Sequence, residues 1–240
     1  MLTIINREIN AFFSSIFGFI ILGMFLTAIG LVCWVFPDSN IFDYGFADMN
    51  TFFALCPSIL LFFVPAIAMK AFAEEKKQGT LELLLTKPIS ITQLVLGKYF
   101  AIILILILSL LPTLIYYFSI REIGSPKNNI DSAVIIGSYL GLILLGGVFA
   151  ALSLVFSSIT NNQIIAFVLA VFSCFILYFG FSSLSSLFES SSIKYFINLI
   201  GLDTQYQALG RGLIDSRNVI YLLSLIFFGV FSTVQMIKKG

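Results

Sequence analysis

Three features of this sequence predict an all-α membrane protein with six transmembrane helices. Of its 240 residues, 59% are hydrophobic and 10% charged, where a soluble domain carries about 25% charged residues. Such a surface cannot face water on every side. Between the charged clusters lie apolar runs of about 20 residues, the length an α-helix needs to cross the roughly 30 Å hydrocarbon core. Basic residues gather in one set of loops, which places both termini in the cytoplasm.

Taken in order, the chain opens on residues 1–13, where Leu2, Ile5, Ile9, Phe12 and Phe13 alternate at helical spacing with Asn6, Arg7, Glu8 and Asn10. This segment either lies along the inner membrane surface or extends the first span. No charge falls between Glu8 and Asp38, giving a first span at 14–36. Its apolar stretch is too long for a signal-peptide core and no small-residue cleavage site follows, so it reads as a retained helix. A second span covers 52–72, ending by Lys70, and a third covers 99–120, between Lys98 and Arg121. The uncharged run from Ser132 to Phe188 is long enough for two spans. The polar stretch Ser157-Ser158-Ile159-Thr160-Asn161-Asn162-Gln163 divides it into 133–156 and 164–186. The last span, 219–237, precedes Lys238-Lys239. The whole chain, 1–240, reads as one transmembrane domain.

With the N-terminus inside, eight basic residues (Arg7, Lys70, Lys76, Lys77, Lys87, Lys98, Lys238, Lys239) face the cytoplasm and five (Arg121, Lys127, Lys194, Arg211, Arg217) face outward. The short loops decide the matter. Residues 37–51 hold Asp38, Asp43 and Asp48 with no Lys or Arg, whereas 70–98 hold five Lys, and basic residues near short loops set orientation.

Composition also excludes function classes. The chain has no His, and its residues offer no phosphate-cradling Gly loop and no carboxylate pair in an apolar setting, so no catalytic site is expected. Cys33, Cys56 and Cys174 sit in or beside apolar segments at no metal-ligand spacing. They read as free buried thiols, although Cys33 and Cys56 both lie near the outer face, where a bridge is conceivable. A net charge of +1 argues against nucleic acid. The six spans carry no ionisable residue clear of their ends, which weakens an ion-coupled carrier or channel.

One segment carries more charge than a turn requires: Glu74-Glu75-Lys76-Lys77-Gln78-Gly79-Thr80-Leu81-Glu82-Leu83-Leu84-Leu85-Thr86-Lys87-Pro88. Gly79 breaks the helix leaving the second span, and Thr80 can cap a new one with Glu82 in its first turn. Leu81, Leu84 and Leu85 then share a face, and Pro88 stops the helix. The expectation is a two-turn helix along the membrane, its charged start 74–77 in water. The residues alone equally allow a solvated loop. In the outer segment 187–218, Ile193, Phe196, Ile197 and Ile200 fall on one helical face, and Tyr206, Leu209 and Leu213 on another. They suggest two short helices dipping back into the outer leaflet, against a plain wet loop. In the fourth span Gly137 and Gly141 have the small-xxx-small spacing of close helix packing, within the subunit in the commoner case or else at a subunit interface.

The run 74–88, continued by Ile89-Ser90 and by Gln93-Leu94-Val95-Leu96-Gly97-Lys98, resembles the signature of ABC-2 type permeases, the six-helix membrane subunits of bacterial ABC exporters. A second match is Gly201–Tyr221, with Tyr206, Arg211, Gly212 and Asp215 in an aromatic, Arg-Gly, Asp pattern before the last helix. Within the family the chain is similar to the gliding-motility-associated (GldF-type) permease subunits. The resemblance implies a permease fold whose coupling helix (Glu74, Glu75, Lys76, Gly79, Thr80, Leu81, Glu82, Leu84, Leu85, Pro88) sits in a cleft of an ATPase. It also implies re-entrant outer helices between spans five and six. The partners it implies are two copies of an ABC ATPase, which carry the ATP and Mg²⁺, and a second permease subunit, self or homologous. This chain itself would bind no cofactor or metal, be non-catalytic and sit in the bacterial inner membrane. The role would be export, or gliding motility and its associated secretion. A non-transporting anchor or assembly factor docking a cytoplasmic partner would use the same segment.

Overall fold

A computed structural model describes residues 1–36, 48–86, 89–124, 131–188, 191–210 and 215–239. Among them there is no strand, and the helices run α1 (Leu2–Phe13), α2 (Ile16–Trp34), α3 (Asn50–Ala68), α4 (Lys70–Lys77), α5 (Thr80–Leu85), α6 (Ile91–Leu110), α7 (Leu114–Ile123), α8 (Ser132–Ile159), α9 (Gln163–Phe175), α10 (Phe181–Ser186), α11 (Ser191–Ile200), α12 (Leu202–Leu209) and α13 (Ser216–Lys239). A 3₁₀ turn, Leu111–Thr113, joins α6 to α7, and a π-helical segment, Ile176–Gly180, joins α9 to α10. Six of the resulting helical stretches are long and apolar enough to cross a membrane: Ile16–Trp34, Asn50–Lys77, Ile91–Ile123, Ser132–Ile159, Gln163–Ser186 and Ser216–Lys239. The expected six-span, all-α architecture is therefore present.

The residues form an inner and an outer set of helices. In α8, 67% of the apolar stretch is buried, against 22% in α2 and in Gln163–Ser186. α8 packs against α3, α6, α9, α12 and α13. Its small residues permit this. A Cβ on Gly146 would stand 2.4 Å from Leu106 of α6, one on Gly147 2.9 Å from the Tyr99 hydroxyl, and one on Gly141 3.2 Å from the ring of Tyr206. Across the same helix, Ala151 lies 2.9 Å from the Cβ position of Gly229 in α13. Close backbone approach is what drives helix association in lipid, where no hydrophobic force separates protein from solvent. Large side chains instead cover the outer faces, among them Phe19, Phe172, Phe227 and Phe228. Much of the phenylalanine content is thus lipid-facing.

Segment 1–13 is a separate helix, not an extension of the first span. The chain turns at Ser14-Ser15, where the Ser15 hydroxyl accepts from the Gly18 amide at 3.0 Å and donates to the Phe12 carbonyl at 2.9 Å. Ile4 and Ile5 of α1 are buried, and Ile4 lies against Gly97 of α6.

Two sequence expectations need correction. The third span starts at Ser90, whose hydroxyl caps the Gln93 amide, so Lys98 lies inside the helix and is 2% exposed. Ile91–Ile123 is 33 residues, or about 50 Å at 1.5 Å per residue, longer than the hydrocarbon core needs. Lys98, seven residues in, therefore sits at the interface level and not at mid-membrane. Ser157 and Ser158 do not belong to the break between spans four and five. They form the buried last turn of α8, and the loop is confined to Thr160–Asn162. The cysteines match their expectation: Cys33, Cys56 and Cys174 are free and buried.

Candidate functional site

The α3–α4 junction is built around one inserted hydroxyl. In a continuous helix the amides of Phe72 and Ala73 would donate four residues back. Instead both donate to Ser157 Oγ, at 3.0 and 3.1 Å, and that hydroxyl donates to the Met69 carbonyl at 3.0 Å. A side chain inserted into the helical ladder is a recognised cause of kinking. It separates α3 from α4 at Met69 and fastens the junction to α8. One turn further on, the Lys76 ammonium donates to the Ser158 carbonyl.

α4 ends at Gly79, whose φ of 67° is left-handed, a conformation glycine adopts without a Cβ penalty. The cap of α5 differs from the sequence expectation. Gly79 occupies the N-cap position, and the Thr80 hydroxyl turns back to donate to the Glu75 carbonyl at 3.3 Å. Leu81 is buried, Leu84 is half-buried, and Glu82 is exposed. The side chain of Leu85, and Pro88 altogether, lie outside the described residues. Lys77, Gln78, Gly79 and Thr86 are exposed with Glu82 and make the tip of the elbow.

The charged start of the elbow is not simply in water. Lys98 Nζ donates to Glu75 Oε1 at 2.9 Å, to Glu8 Oε1 at 3.1 Å and to the Ala71 carbonyl at 2.6 Å. Arg7 adds contacts to Glu8 Oε1 at 2.6 Å and Glu75 Oε1 at 2.9 Å. Two cations and two carboxylates therefore tie α1, α4 and α6 together. Burial alone would raise the Glu8 carboxyl, but the charge of Lys98 and the hydrogen bonds from Arg7 and Lys98 hold it below the usual carboxylate range. Burial would likewise lower the Arg7 guanidinium, and its contacts with Glu8 and Glu75 raise it instead. Beside this cluster, between α1, the start of α2, α4 and α6, lies a cavity of about 420 Å³.

Sequence reasoning missed Lys98, Glu8 and Ser157 as members of this assembly. Charge-free length alone puts Lys98 at a helix end. A Ser-x-x-Gln cap eight residues earlier was the available signal. For Ser157 no local signal existed, since its partners lie 84 to 88 residues away.

At the other end of the bundle α11 and α12 form the two short helices expected between spans five and six. The α12 helix is drawn inward, with Leu202, Tyr206 and Leu209 buried. The Tyr206 hydroxyl donates to the Phe53 carbonyl of α3 at 2.8 Å. That carbonyl is orphaned by sequence, because its helical donor would be the amide of residue 57, a proline with none. The Tyr221 hydroxyl donates to the Ile200 carbonyl at 2.7 Å, pinning α11 to α13. Asp215 is exposed and its carboxylate accepts from the Arg217 amide at 2.9 Å at the start of α13. Arg211 and Gly212 lie outside the described residues. Gly137 and Gly141 are both buried on α8, and Gly141 receives Tyr206, so this helix contact is within the subunit.

No group of three or more His, Cys, Asp or Glu placed to hold a metal ion occurs among the described residues. What the arrangement offers is mechanical: an exposed elbow fixed through short polar bonds to α8, α6 and α1. A family model described as ABC-2 family transporter protein matches residues 22–218. No curated protein matches the chain.

Proposed function

Since the chain belongs to the ABC-2 transporter family, as a multi-pass membrane subunit of an ABC transporter, we propose that its α4–α5 elbow is where a separate ATPase docks and drives it. One observation carries this reading. The exposed tip at Lys77, Gln78, Gly79 and Glu82 stands on a stem that Ser157, Lys76 and Lys98 fasten to α8 and α6. A loop that merely reversed the chain would need no such fastening.

In this reading the amino terminus is cytoplasmic, in keeping with the five lysines of 70–98. The chain pairs with a second permease, itself or a homologue, and two ATPase copies bind ATP and Mg²⁺. Their closure moves the two elbows, and the inner helices rearrange at the subunit interface. The residues carrying the docking are Glu74, Glu75, Lys76, Gly79, Thr80, Leu81, Glu82, Leu84, Leu85 and Pro88. The process served is export, or gliding motility and the secretion linked to it, in a bacterial inner membrane. Tyr206, Arg211, Gly212 and Asp215 serve the outer closure of the path.

The test is affinity purification from native membranes. Gly79→Pro imposes a φ near −65° where the chain needs 67°, and Leu84→Asp puts a charge on the half-buried face of α5. Both variants are expected to insert normally and to lose the ATPase. Retention of the ATPase by both would overturn the docking assignment.

A further inference from the structure

We propose that the cavity between α1, α4 and α6 binds a zwitterionic aminophospholipid, with the headgroup at the α4 rim and an acyl chain along α6. The cavity has two chemically distinct parts. Its depth is apolar, walled by Phe12, Phe17, Ile67, Ala101, Ile102 and Ile105. Ile105 lies seven residues beyond Lys98 on α6, so this wall runs about 10 Å along the helix toward the membrane centre. The rim is charged by Arg7, Glu8, Lys70, Glu74, Glu75 and Lys98.

Most of the rim charge is already matched. Arg7 and Lys98 are satisfied by Glu8 and Glu75. What remains is one cation and one anion on the same face of α4. Among the described residues Lys70 makes no ion pair, and its ammonium rests 3.9 Å from the centre of the Phe17 ring. Among the same residues the Glu74 carboxylate receives only the Gln78 side-chain amide, at 3.3 Å. Lys70 precedes Glu74 by four residues, the order that pairs poorly on a helix, so each keeps a valence for a ligand. Behind them Glu75 Oε2 is buried without a hydrogen-bond partner, a costly state for a carboxylate oxygen and a second acceptor for a donor entering the rim.

Four residues separate the two charges by about 6 Å along the axis. A phosphate and a primary ammonium joined by two carbons match that layout, phosphate on Lys70 and ammonium on Glu74. A choline headgroup carries the charge but no N–H to donate, and a glycerol headgroup carries no cation. The apolar depth then takes the chain. The site faces the leaflet on the side of the amino terminus and needs no ATPase.

The experiment is native mass spectrometry of the detergent-purified full chain alone, so its outcome is independent of the docking assignment. The chain is titrated with phosphatidylethanolamine, phosphatidylcholine and phosphatidylglycerol of identical acyl chains. Phosphatidylethanolamine should bind at least about tenfold more tightly than either, the scale of a charge-assisted hydrogen bond. Glu74→Gln should abolish that preference and Lys70→Met should weaken all three lipids together, both at partly exposed positions and both keeping the wild-type unfolding temperature. Glycerophosphoethanolamine, which lacks acyl chains, should compete at least a hundredfold more weakly. Equal binding of the three lipids, a preference surviving Glu74→Gln, unchanged binding of all three in Lys70→Met, or competition by the deacylated headgroup at equal concentration would each overturn the proposal.

Discussion

Replacing Lys98 with Met keeps the apolar stem and removes the charge, and the structure sets the size of the effect. The ammonium is 2% exposed and donates to Glu8, Glu75 and the Ala71 carbonyl. Removing one partner of a buried ion pair costs about 3–5 kcal/mol. Here both carboxylates keep Arg7, at 2.6 and 2.9 Å, so the lower end applies, about 3 kcal/mol. A chain of this size loses about 2–4 °C of unfolding temperature per kcal/mol, which predicts a fall of about 6–12 °C. Cys33, Cys56 and Cys174 are free and buried, so a thiol-reactive fluorogenic dye reads the transition directly. Adding Glu75→Gln removes the carboxylate left short of cations and should restore at least half of the loss. A Lys98→Met transition within 2 °C of wild type, or a double variant in which the two losses simply add, would refute the view that the cluster clamps α1, α4 and α6.

Other outcomes follow from the same geometry. Glu8 is held below the ordinary carboxylate value of 4.5, so the stability it contributes is present at neutral pH and is lost as pH falls through 4.5 and below. In Glu8→Gln that part of the acid dependence of the unfolding temperature should vanish. Ser157→Ala strands two amides and a carbonyl at the α3–α4 junction and should cost about 1–3 kcal/mol, with raised protease sensitivity at Met69–Ala73. Gly18→Ala would place a Cβ 2.1 Å from the Phe12 carbonyl oxygen and should detach α1 from α2, read as new protease cleavage at Ser14–Ser15. Tyr206→Phe should cost about 1–3 kcal/mol, because the Phe53 carbonyl then has no donor. Pro57→Ala in that background should recover part of the loss by supplying the missing amide.

The span count and the helical class were legible because charge-free length and the 30 Å core are both one-dimensional quantities. The elbow was legible for a related reason, since Gly79 punctuates the backbone locally. Contacts that link distant residues left no such trace. Nothing near Ser157 marks it as a hydroxyl for another helix, and Lys98 reads as a span boundary until Ser90 is recognised as the cap. Pro57 shows the middle case. A proline inside a span announces an orphaned carbonyl at Phe53, so a donor was owed, but only the fold identifies Tyr206 as its source. Gly146 and Gly147 behaved the same way. Glycine at these positions permits close packing in lipid, while the partners Leu106, Tyr99 and Ile226 come from three-dimensional proximity alone.

The length of α8 between its two fixed points has a mechanical consequence. Ser157 holds the elbow at one end, and Gly141 receives the Tyr206 ring near the other. Sixteen residues separate them, about 24 Å of uninterrupted helix, most of the hydrocarbon thickness. α8 carries no proline and no π segment, whereas α3 carries Pro57 and Pro65 and the fifth span holds the π segment Ile176–Gly180. A stiff member gripped at both ends acts as a push-rod. A displacement of the elbow along its axis arrives at α12 with little lost to bending, whereas α3, hinged at Met69 and short of two ladder amides at Pro57 and Pro65, absorbs movement instead of passing it on.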